Sequence, residues 1–212
     1  MEKTMATKEN KTVVTIKPAN MKTIAFKISG TAPLLQHAFS EKARAEMMSN
    51  MASGSTSKKG KKREARDYDQ DMKNATHFSE DGWQGIPASA FRSAMISACR
   101  LVGFKMTIAK MSVFILADGL DAVDGMPLVR FEGEPERHDM AARVGISGTD
   151  IRVRPMWRKW SANLNIRFDA DQFTETDVAN LLQRAGMQVG VGEGRPDSRS
   201  STGLGLGTFE IV

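Results

Sequence analysis

The chain is poor in the residues on which covalent and metal chemistry usually rest. It has a single cysteine, Cys99, in 212 residues, which excludes an intramolecular disulfide framework and fits a reducing compartment. Its three histidines, His37, His77 and His138, stand at zinc-ligand spacing neither from one another nor from Cys99, so no metal and no other cofactor is expected. Serines are plentiful, yet none has the surroundings of a nucleophile elbow. A P-loop lysine motif is missing too, and GVGEGR (191–195 with its preceding glycine) lacks the order of a dinucleotide fingerprint. No apolar run approaches the length that spans a bilayer, and the polar N-terminus has no signal-peptide core. A cytoplasmic protein is expected, without a membrane partner. Hydrophobic residues make up only 41% of the chain, which suggests that part of it lies outside a packed core.

What is abundant is positive charge. Lysine and arginine total 30 against 25 acidic residues, a formal charge of +5, and that balance favours a polyanionic partner. The length suits one domain, or one with appendages. Residues 1–19 are polar and lysine-rich and read as a flexible arm. Residues 20–212 read as a single domain interrupted by a flexible basic insertion at about 49–66, which carries Lys58, Lys59, Lys61, Lys62, Arg63 and Arg66.

Hydrophobic periodicity places the regular elements. Residues 22–30 alternate, with Ile24, Phe26 and Ile28 on one side, and predict a strand. The apolar positions from Leu34 to Met47 suit one side of a helix, and a second, polar helix is expected over 63–78. Ser89 is placed to cap a helix that turns Phe91, Met95, Ala98 and Val102 inward and ends at Gly103. Strands are expected over 105–117, 127–131 and 162–168, and no regular element is assigned in the rest of the acidic, Gly- and Pro-broken stretch 118–150. Thr174 and Asp177 are spaced as a capping pair for a helix reaching Ala185, with Val178, Leu181 and Leu182 on its inner side and Gly186 as its left-handed stop. A final strand covers 208–212. Without the insertions the order is β-α-β-β-α-β, which predicts an α+β, ferredoxin-like (RRM-like) core.

Two segments carry the functional reading. Between the last helix and last strand lies a loop whose glycines, Gly190, Gly192, Gly194, Gly203, Gly205 and Gly207, would let a partner approach the backbone. With Arg195 and Arg199 it could cradle phosphates. The other is IRVRPMWRKW (151–160), where Arg152, Arg154, Arg158 and Lys159 can neutralise phosphates and Trp157 can stack on a base. At least one of its two tryptophans is expected to be buried. Asp118, Asp121 and Asp124 suit a solvated turn as well as a Mg²⁺ site.

The segments GIPASAFRSAMISACR (85–100) and VGEGRPDSRSSTGLGLGTFEIV (191–212), in this element order, resemble the RAMP superfamily of CRISPR effector complexes. The family's Ile-Pro-Gly-Ser-Ser-Leu-(Lys/Arg)-Gly stretch is matched by Ile86 to Arg92, with Ala88 for the glycine and Ser93 for the last. Its glycine-rich loop is matched by Gly192, Gly194, Arg195, Gly203, Gly205, Gly207 and Phe209. TAPLLQHAF (31–39) also looks like phage-encoded proteins, which would place the chain in a bacterial host cell. The resemblance spans most of residues 22–212. It implies a non-catalytic protein that binds single-stranded nucleic acid, RNA before DNA, through the loop and basic surfaces, Arg92 included. It also implies self-association along the strand and other effector or phage proteins as partners. Alternatives are a metal-independent RNA-processing endonuclease using His37, since family nucleases use a histidine in this region, and a protein-only assembly or inhibitor module of a phage.

Overall fold

A computed structural model describes residues 16–39, 41–52, 66–144, 148–198 and 203–212. Lys58, Lys59, Lys61, Lys62, Arg63 and Arg199, and the arm up to residue 15, therefore lie outside the described residues. In chain order the elements are β1 Met21–Gly30, β2 Leu34–Leu35, α1 Glu41–Ala52, α2 Tyr68–Asn74, β3 His77–Phe78, β4 Gln84–Pro87, α3 Ala88–Ala98 and α4 Met106–Ser112. There follow β5 Val113–Leu116, β6 Gly119–Leu120, β7 Pro127–Glu132, β8 Glu136–Val144, β9 Gly148–Trp157, β10 Ser161–Asp169, α5 Glu175–Arg184 and β11 Phe209–Ile211.

The strands form two open sheets in a mixed α+β fold. The larger runs β11-β1-β10-β7-β4-β3, with β5 also on β10 and β6 on β7; the smaller is β2-β9-β8. β10 is central because both its edges are used. One pairs antiparallel with β1 from Asp169 to Ser161, and the other is shared between β5 at Asn165–Phe168 and β7 at Ser161–Ala162. The period-2 pattern of β1 and β10 follows from this pairing. Ile24, Phe26 and Ile28 stand opposite Ile166, Leu164 and Ala162, and these positions join the core with Phe91, Met95, Leu182 and Phe209. Lys27 and Asn163 form an exposed pair on the opposite side.

β11 is short, but Phe209 makes it count. The ring is fully buried, edge-on to Phe91 at 5.8 Å and to Trp160 at 6.0 Å between centroids. Burying such a side chain contributes about 2–3 kcal/mol. α5 begins as its sequence predicts: the Thr174 hydroxyl accepts from the Asp177 N–H at 3.1 Å, and the Asp177 carboxylate accepts from the Thr174 N–H at 2.9 Å. These bonds from Thr174 also hold the Asp177 carboxyl below its usual range.

Several boundaries differ from the sequence reading. Gly186 does not stop α5. The chain continues through a π-helical turn, Ala185–Val189, and reverses at Gly190, whose φ is +71°. Gly186 serves packing instead, since a Cβ there would lie 2.2 Å from the Phe209 carbonyl oxygen. Ser89 is not a cap, because α3 starts directly from β4 with Pro87 at the N-cap and no side-chain bond. Val102 is exposed rather than inward. The expected strand 105–117 begins as α4, whose end is tied by Arg92: its guanidinium donates to the Lys110 carbonyl and, at 2.9 Å, to that of Val113. A cation satisfying the last carbonyls of a helix favours that ending, and no local pattern announces it.

The helix expected from Leu34 onward is displaced. Leu34 and Leu35 are buried in β2 against Trp157 and Met156, while α1 leaves Met47, Met48 and Met51 exposed. α1 also takes in residues 49–52 of the expected insertion. The second helix is only Tyr68–Asn74, capped by Asp67, whose carboxylate accepts from Asp69 and Gln70 N–H at 3.0 Å. Within 118–150 the structure places β6, all of β8 and the start of β9. No described side chain of β8 is buried, and only His138 and Met140 are half-buried, so β8 has no buried apolar side to give its sequence a clear period.

Candidate functional site

The glycine-rich segment folds back on the start of the chain. Glu193 N–H donates to the Leu35 carbonyl at 2.8 Å, Gly207 N–H to that of Pro33 at 2.8 Å, and Thr31 N–H to that of Thr208 at 2.9 Å. Other loop donors are taken within the loop: Val191 N–H by Gly207, Leu204 and Leu206 N–H by Gly194, and Asp197 N–H by Val189. The glycines permit this lacing. A Cβ at Gly192 would lie 2.5 Å from the Leu35 oxygen, one at Gly203 2.4 Å from that of Arg195, and one at Gly207 1.8 Å from that of Val191. The close approach expected for a partner is, at these three, an approach of the chain to itself. Among the described residues, Gly192, Gly194 and Gly205 keep backbone N–H groups without a backbone acceptor, and Gly205 faces open space.

The loop is also pinned to α3. Asp197 accepts from the hydroxyl of Ser97 and, at 2.7 Å, from the Arg100 guanidinium. The Ser97 bond first, then Arg100, holds the Asp197 carboxyl below its ordinary range. Between loop and helix runs a groove of about 720 Å³. Pro87, Ala90, Ala94, Met106, Val189 and Val191 line it, together with Ser89, Ser93, Lys110 and Arg195. The two segments singled out in the sequence, about a hundred residues apart, thus face each other across one groove. Arg195 keeps part of its guanidinium available, donating from Nη1 to Gly192 O at 3.1 Å. Lys110 is exposed at the rim.

The basic-aromatic segment divides. Trp157 is fully buried, edge-on to Phe131 at 4.9 Å between centroids, and its Nε1–H donates to Gln84 Oε1 at 2.9 Å. It offers no free face on which a base could stack, which corrects that expectation. Trp160 is buried as well, its Nε1–H donating to the Ala32 carbonyl at 2.9 Å. Arg92 is occupied by its two carbonyls and by the Phe114 ring, 5.1 Å from the centroid, so it ties the fold rather than standing free. Arg158 and Lys159 are exposed, Arg158 in an ion pair with Glu136.

Arg154 is buried, donating from Nε to Glu193 at 2.7 Å and from Nη1 to the Val153 carbonyl at 3.1 Å. Glu193 belongs to the glycine loop, so this pair joins the two candidate segments. His37 stands beside it, Nδ1 3.8 Å from the same carboxylate. Burial first, then the charges of Arg154 and Arg152, hold the His37 imidazole below its ordinary value, against the opposite pull of Glu193.

One polar pair escaped the sequence reading. His77 Nδ1 lies 2.7 Å from the buried Asp121 carboxylate. The residues are 44 apart, and no spacing rule connects them. Asp121 also accepts from Val123 N–H at 2.8 Å, so it closes a turn as well as holding the histidine. Cys99 is buried in the core, where desolvation pushes its thiol up. Among the described residues no three His, Cys, Asp or Glu gather to hold a metal ion, and no helix is long and apolar enough to cross a membrane. No family model matches the chain, and no curated protein matches it.

Proposed function

We propose that this is a non-catalytic protein that binds single-stranded nucleic acid, RNA before DNA, along the groove between α3 and the glycine-rich loop. The observation that carries the reading is that groove. Its apolar side chains suit bases, and Ser89, Ser93, Lys110 and Arg195 line it with them as partners for sugars and phosphates. The formal charge of +5 agrees with a polyanionic partner. The order β11-β1-β10-β5, antiparallel throughout, supports a ferredoxin-like core. With the resemblance to the RAMP superfamily, it also favours RNA and self-association along the strand.

Fluorescence anisotropy with single-stranded RNA, single-stranded DNA and duplex, at several salt concentrations, tests this directly. Single-stranded RNA should bind best, with affinity falling steeply as salt rises. Lys110→Gln with Arg195→Gln should weaken binding about tenfold and flatten that slope. Absence of binding at low salt refutes the proposal. Strand cleavage lost in His37→Ala would replace it with the endonuclease reading, for which the lowered imidazole beside Glu193 is the supporting observation. Light scattering with a long oligonucleotide tests self-association, and one protein per strand would remove it.

A further inference from the structure

We propose that the cavity framed by His37, Asn74, Arg152 and Arg154 is a discrete binding site for one phosphate group. The cavity measures about 240 Å³. It lies where β9, helix α2 and the segment after β2 converge, so its walls come from three separate parts of the fold. Its acids are already engaged. Arg66 donates to Asp71 at 3.1 Å and to Asp150 at 3.0 Å, and Glu193, outside the lining, accepts from Arg154 at 2.7 Å.

Its donors, in contrast, exceed its acceptors. Arg154 Nη2 is buried with no hydrogen-bond partner among the described residues, in a side chain only 8% exposed. A charged donor stranded in this way is a costly defect unless something outside the chain supplies the acceptor. Arg152 is half-buried and makes no hydrogen bond or ion pair among the described residues. The Asn74 carbonyl accepts from Gln70 at 2.9 Å, which leaves its amide nitrogen as a donor. His37 is beyond hydrogen-bond reach of Glu193 at 3.8 Å. The Arg152 guanidinium, without an acceptor among the described residues, together with the remaining Arg154 nitrogen, an amide and an imidazole around the same cavity, suits a tetrahedral oxyanion, because a guanidinium binds phosphate in a bidentate manner. A bound dianion would also stabilise the protonated form of His37.

The site deepens the nucleic-acid reading by giving one phosphate of the strand a fixed seat. It rests on that reading only for the source of the phosphate. The test uses the full chain with ¹⁵N-labelled histidine, titrated with sodium sulfate and with sodium chloride at matched ionic strength. Sulfate is chosen because it stays dianionic across the pH range. His37 ring resonances should shift saturably with sulfate alone and titrate at higher pH, while those of His77 and His138 stay in place. Arg152→Gln, at a half-exposed position that the core does not need, should weaken the sulfate response at least tenfold and leave the remaining spectrum unchanged. A response that does not saturate, that chloride reproduces, or that survives Arg152→Gln overturns the site. Inorganic phosphate and a single-stranded oligonucleotide lacking terminal phosphate then separate the sources. If both move His37, the strand's phosphodiester is the ligand; if inorganic phosphate alone does, the ligand is a free phosphate and the site stands. A sulfate response without strand binding upholds the site and sinks the nucleic-acid reading. Strand binding without a sulfate response does the reverse.

Discussion

In the loop from Gly190 to Gly207 seven of the described backbone donors, those of Gly190, Val191, Glu193, Asp197, Leu204, Leu206 and Gly207, end on carbonyls of the same chain, and three missing Cβ atoms are filled by its own backbone. In the segment from Arg152 to Trp160 both indole N–H groups are satisfied, yet Arg152 and one nitrogen of Arg154 have no acceptor among the described residues. The two stretches drew the same expectation, contact with phosphate, and the fold uses them differently. The loop spends its glycines on fastening Thr31–Leu35 and β11, and through Arg195 and Asp197 shapes one side of a groove. The segment around the end of β9 buries both its tryptophans and leaves guanidinium capacity over. Glycine richness marks close backbone approach without saying whose backbone approaches. A guanidinium lacking an acceptor is more specific, since burial without a partner is costly.

The largest expected effect tests the buried half of the strand. Trp157→Ala should cost about 3–5 kcal/mol in urea unfolding, from lost packing on Phe131 and the orphaned Gln84 carbonyl. Arg158→Gln and Lys159→Gln should each stay within about 0.5 kcal/mol. A mild Trp157→Ala would mean that the indole is dispensable to the core and open to another role. Next comes a contrast inside the loop. Gly207→Ala combines left-handed strain of roughly 1–2 kcal/mol with a clash on the Val191 carbonyl, so a loss of about 3 kcal/mol is expected. Gly205→Ala carries the strain alone, near 1 kcal/mol. Equal losses would break the view that the glycines serve internal packing.

The smallest effect concerns His37. Its folded pKa lies below the ordinary 6.5, so the unfolded chain takes up a proton first as pH falls. Stability should therefore be full above about 6.5 and decline below it until the folded imidazole also protonates. His37→Asn should remove that part of the slope between neutrality and mildly acid pH. Thermal unfolding of both proteins across the range checks it. Burial sets the shift first, with the charges of Arg154 and Arg152 adding to it and Glu193 opposing it, and saturating sulfate should shrink the decline if the phosphate site exists.

Local pattern alone determined β1, β7, β10 and α5, because each buries one side against the core and so carries a period of 2 or 3.6 into the sequence. The capping pair of Thr174 and Asp177 was legible for the same reason: both partners lie within four residues. The α3 segment and the glycine loop were visible as compositions, but not as two walls of one groove, since a contact across about a hundred residues leaves no local period. α4 read as a strand because its ending depends on Arg92, fourteen residues before its first residue. β8 was missed because none of its described side chains is buried, so no apolar period is imposed on its sequence. Whether an arginine is spent or spare was equally hidden. Arg92 and Arg152 look alike in the sequence, and only the tertiary structure brings carbonyls to the first while supplying the second with no acceptor among the described residues. Charge is written into the chain, whereas its neutralisation depends on which distant groups the fold carries within about 3 Å.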